Sequence, residues 1–79
     1  MICAVIKRNH SIKECASIRL AKEYAIQNGA DLILVFRTEI SSTLHNLHLT
    51  AVYCRLLERR IFTYYTPEEY QRLLDLHLI

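Results

Sequence analysis

Glycine and proline occur once each in 79 residues and tryptophan not at all. With Gly29 alone, no Gly-rich phosphate loop, Walker motif or dinucleotide fingerprint can be assembled, which removes the commonest nucleotide-binding enzymes. The scarcity of Gly and Pro also argues against a disordered or low-complexity chain. Cys3, Cys15 and Cys54 are odd in number and widely spaced, with no CxxC pair, so neither a disulfide framework nor a zinc knuckle is indicated. They read as small buried hydrophobes in a reduced protein. No apolar run reaches membrane-spanning length, and Met1 to Ile6 meets Lys7-Arg8 too soon for the core of a signal peptide. The expected location is the cytoplasm, with no membrane partner.

What is present is apolar: 52% hydrophobic residues against 23% charged, with a net charge of +2. This is a globular composition, and the length allows one domain, residues 1–79. At typical stabilities such a domain is worth about 4 to 12 kcal/mol, which makes self-association a useful further source of stability. The mild basicity neither demands nor forbids nucleic acid.

Ile2 to Ile6 reads as a strand closed by Lys7-Arg8-Asn9. Ser11 and Glu14 have capping-box spacing, which predicts a helix from Ser11 with Cys15, Ile18, Ala21 and Ala25 on one face. Asn28-Gly29 ends it. Leu32 to Phe36 is an unbroken apolar run, expected as the central strand of a parallel sheet. Ser41, Ser42 and Thr43 are competing N-caps for a second helix through Leu44, Leu47, Ala51 and Cys54, ending near Arg59-Arg60. A rival reading of His48 to Tyr65 is a β-hairpin. Ile61 to Tyr65 predicts a third strand, and Thr66-Pro67-Glu68-Glu69 a strong helix start. The expected architecture is α/β: a small three-stranded parallel sheet in β-α-β-α-β-α order with helices on its faces.

His45 and His48 would share a helix face, but no Cys, Asp or Glu nearby completes a metal set. The cysteines fall on apolar faces, and helix capping accounts for Ser41 and Ser42. No acid, base, nucleophile or cofactor set is therefore assigned, and an enzyme is the third option behind two binding readings.

Asp31 to Phe36 runs into Thr38 to Ser42, then Thr43 to Leu47 at a helix start, and Arg59 to Phe62 at a last strand. This succession resembles the later part of the catalytic domain of serine recombinases, the resolvases and invertases, over half the chain. Thr38, Glu39 and Ser42 stand where that family has an Asp and two Arg. A Glu in place of an Arg would repel the phosphate, so strand exchange is not expected. The resemblance implies a shared fold, a helix-mediated oligomer, or a small regulator of a recombinase-like partner.

The first functional expectation is a non-catalytic protein-interaction or regulatory module. It would be a homo-oligomer or bind a protein partner through its sheet edges and a surface of Tyr64, Tyr65, Leu76, Leu78 and Ile79. The alternative is a nucleic-acid-binding accessory factor, a degenerate recombinase-like domain with Lys7, Arg8, Arg37, Arg59 and Arg60 at the strand ends, joined by Arg55.

Overall fold

A computed structural model of the chain describes residues 2–40, 45–55 and 61–77. Along them run β1 (Ile2–Ile6), β2 (Ile12–Cys15), α1 (Ile18–Asn28), β3 (Leu32–Ile40), β4 (His45–Cys54), β5 (Thr63–Tyr65) and α2 (Pro67–Asp75). Among the described residues the strands form one sheet in the order β2-β1-β3-β4-β5. Every neighbouring pair is antiparallel. The expected three-stranded parallel sheet with alternating helices is thus overturned.

The first departure lies at Ser11. Asn9 Oδ1 accepts from the Ser11 amide at 3.0 Å and from its hydroxyl at 2.6 Å, so the hydroxyl closes a turn instead of capping a helix. His10 takes φ 66° within that turn, and Ile12–Cys15 folds back as β2 on β1. The helix starts later: Ser17 is its N-cap, accepting from the Leu20 amide at 3.2 Å. Its end falls where Gly29 was expected to place it, with φ 69° and the Ala30 amide donating to the Ala25 carbonyl at 2.8 Å.

The second departure is β4, a strand where a helix was expected. Leu47, Leu49, Val52 and Cys54 are spaced two, three and two apart because the ladder slips between Val35 and Phe36, pairing Val35 with Ala51 but Phe36 with Leu49. Thr50 is the extra residue of this bulge, and its hydroxyl donates to the Val35 carbonyl at 3.2 Å. Of the residues with helical spacing, Ala51 lies on the face of Val35 while Leu47 and Cys54 lie on the opposite one, so a strand apolar on both sides imitates helical spacing. The rival hairpin was nearer the mark, since β4 and β5 pair through Val52–Tyr65, Tyr53–Tyr64 and Cys54–Thr63. The strand expected from Ile61 to Tyr65 is β5, which begins two residues later, at Thr63. Ser41, Ser42 and Thr43, expected as N-caps, lie outside the described residues.

Alternation along the ladders divides the sheet into two faces. One carries Cys3, Val5, Ile33, Val35 and Ala51 and is packed against Ala21, Ala25 and Ala30 from α1 and its C-terminal turn. The other carries Ala4, Leu34, Val52 and Cys54, and α2 rests on its β4–β5 side without reaching β1 or β3. The α2 start matches the sequence: Thr66 Oγ1 accepts from the Glu69 amide, and the Glu69 carboxylate accepts from the Thr66 amide, both at 3.1 Å.

Candidate functional site

Single large hydrophobics are exposed at Leu20 and Ile26 on α1 and at Ile61 and Leu76, but the sheet face opposite α1 carries apolar surface across neighbouring strands. Ile2, Ile6, Leu32, Leu34, Phe36 and Leu49 are half-buried there, although they are larger than the alanines and cysteines that fill much of the α1 side. Ile12 on β2 is 64% exposed and Leu47 on β4 is 57% exposed. Both belong to this face, because Ile12 pairs with Ile6, and Leu47 follows Leu49 by one alternation. Among the described residues, no element covers the β1–β3 part of it.

The patch continues past the sheet. β1 pairs with β3 only from Leu32 to Phe36, and β5 with β4 only from Val52 to Cys54. Beyond these limits Arg37–Ile40 and His45–Leu49 run on as a two-stranded ribbon, bent at the Thr50 bulge. The radius of gyration, 13.1 Å, exceeds the value of about 12 Å for a compact chain of this length, as a projecting arm requires. A lone two-stranded ribbon is marginal in water, and this one carries Leu47 and Leu49 on the same face as the open sheet surface.

Charge follows the other face. Lys7, Lys13, Arg37 and Arg55 alternate with the open-face residues and fall on the α1 side. There Lys7 and Lys13 lie 5.1 and 5.8 Å from the ring centre of Tyr24, Lys22 is 4.6 Å from that of Tyr53, and Arg55 is 5.3 Å from that of Phe62. Glu14 is the charged residue that the ladders place on the open face, at the edge of β2.

Among the described residues, those singled out from the sequence lie in separate places. Tyr64 and Tyr65 are successive strand residues on opposite faces: Tyr64 packs edge-on against Tyr53 with ring centres 5.6 Å apart, and Tyr65 lies beside α2. Tyr65, Glu69, Arg72 and Leu73 line a cleft of about 140 Å³, too small for most organic ligands. Leu76 is exposed just past α2, and Leu78 and Ile79 lie outside the described residues. Lys7 and Arg8 follow the end of β1 that pairs with Leu32, whereas Arg37 lies past Phe36 at the opposite end. Antiparallel pairing separates Lys7 from Arg37 by about 20 Å, six residues of strand. Arg8 reaches Asp31 at 3.4 Å, and Arg59 and Arg60 lie outside the described residues. His45 and His48 stand on a strand, where a spacing of three does not join two residues on one face.

Burial holds the Cys54 thiol above its usual pKa, with the Asp31 charge adding to it. The Tyr70 phenol is raised by burial and then by Cys54. These shifts favour the neutral forms, the opposite of nucleophile activation. No family model matches the chain, no curated protein or solved structure matches it, and none of these comparisons bears on the recombinase resemblance.

Proposed function

We propose that the chain is a non-catalytic interaction module that self-associates, two copies stacking their open sheet faces about a twofold axis. The observation that carries this reading is the apolar surface running from Ile6 and Leu32 to Leu47 on the projecting ribbon. A ribbon beyond its own domain has no layer of that domain beneath it, and a second copy supplies one. The partner is a second copy because the face is nearly free of charge. Self-stacking then costs little like-charge repulsion, whereas nucleic acid requires the cations that lie on the other side. A twofold contact is also the commonest closed arrangement for one chain.

Among the described residues the fully buried large side chains are few, namely Ile33, Val5 and Val52. Covering half-buried Leu34 and Phe36 in a dimer adds burial of large residues that the single chain lacks. The test is light scattering coupled to gel filtration, alone and with a short DNA duplex at low and moderate salt. The expected result is twice the chain mass, unchanged by the duplex. A monomer whose elution shifts with DNA in a salt-sensitive way would overturn the reading and favour the cations of the α1 side.

A further inference from the structure

Cys3 and Cys15 are far apart in sequence but direct cross-strand partners in the β1–β2 ladder. The Lys7 amide donates to the Ser11 carbonyl at 3.0 Å. Alternation from that pair makes Val5–Lys13 and Cys3–Cys15 hydrogen-bonded pairs as well. Cα atoms at such a pair are about 5.5 Å apart, inside the range of about 4.4–6.8 Å over which a disulfide closes. Cβ atoms at a hydrogen-bonded pair lie toward about 5.5 Å, wider than the roughly 3.5–4.5 Å of a relaxed bridge, so the bond formed is strained and readily reduced. Both residues are on the α1 face. Cys3 is a fully buried member of the core, and Cys15, half-buried on the edge strand, packs against that core. Cys54 belongs to the other face, two strands from β1.

We infer that Cys3 and Cys15 form a dithiol modification site that closes to an intramolecular disulfide with a low-molecular-weight disulfide, such as oxidised glutathione, as oxidant. The Cys15 thiolate attacks one sulfur of the oxidant, whose S–S bond breaks. One glutathione thiolate leaves and takes up a proton. The Cys3 thiol then loses its proton to water, and its sulfur attacks the Cys15 sulfur of the mixed disulfide, expelling the second glutathione. The protein loses two thiol hydrogens and two electrons, and the oxidant is reduced to two thiols. Cys15 attacks first because it is nearer solvent, whereas burial and the neighbouring Cys15 hold the Cys3 thiol above its usual pKa. The product ties the edge strand β2 covalently to β1.

The test equilibrates the full chain in glutathione buffers of rising oxidised fraction, quenches with acid, alkylates free thiols and digests with trypsin. Cleavage after Lys7, Lys13 and Arg19 leaves Cys3 and Cys15 on separate peptides, residues 1–7 and 14–19, with Cys54 on 38–55. The expected main oxidised species is the linked 1–7/14–19 pair with Cys54 alkylated, and the same link forms in Cys54→Ser. Arrest at a glutathione adduct on Cys15 with Cys3 still alkylated, a link involving Cys54, or a link between copies would overturn the proposal.

Discussion

Asp31 holds two arginines unequally. Arg8 reaches Oδ2 at 3.4 Å from a side chain 77% exposed, whereas Arg55 donates to Oδ1 at 3.1 Å from one 16% exposed. Arg55 also donates to the Ala30 carbonyl at 3.2 Å, and its guanidinium lies over Phe62. Asp31 is itself 38% exposed, so solvent screening discounts the Coulomb attraction. Arg55→Ala is expected to destabilise the fold by about 1–2 kcal/mol and Arg8→Ala by less than about 0.5 kcal/mol, as read from urea unfolding. Equal losses would show that burial does not govern the pair. Ile33, fully buried on the central strand, should lose about 2–5 kcal/mol on change to Ala. The contacts of Asp31 and Ala30 with the arginines join residues more than twenty positions apart, so no local pattern in the sequence announces them.

At the scale of elements, the legible features were those whose stabilising contacts are local. Thr66, Pro67 and Glu69 satisfy their own helix end, and Gly29 supplies its own left-handed conformation, so α2 and the end of α1 could be read directly. Ser11 and Glu14 had the same spacing as Thr66 and Glu69, yet fold as part of a hairpin. Asn9 and the pairing of β2 with β1 offer those residues partners that a three-residue pattern does not contain. Thr66→Ala should cost about 0.5–2 kcal/mol in stability. The Glu69 carboxyl is held below its usual pKa by the Thr66 amide first and then by the Thr66 side chain. A lowered folded pKa means that the contribution is fully present above about 4.5 and fades as the pH falls through the lowered value. Wild type and Glu69→Gln should therefore differ in melting temperature at neutral pH and converge in acid. A constant gap across that range would exclude the carboxylate cap.

For the whole molecule, the misread faces follow from the antiparallel pairing. The run Leu32 to Phe36 is central as expected, but it is covered fully by a helix on one face only. This was hidden in the sequence because a strand buried on one face and half-buried on the other has the same apolar composition as one buried on both. Apolar residues on both faces of β4 concealed it, and with it the ribbon that carries Leu47. The sequence pointed to a C-terminal surface for self-association, whereas the proposed dimer places it on the open sheet face. Sedimentation velocity of wild type, Leu47→Glu and Leu76→Glu tests the open-face dimer most directly, since both leucines are exposed and neither change should unfold the chain. The account predicts a dimer for wild type and Leu76→Glu and a monomer with an unchanged circular dichroism spectrum for Leu47→Glu. A monomeric wild type, or a Leu47→Glu variant that remains a dimer, would contradict it.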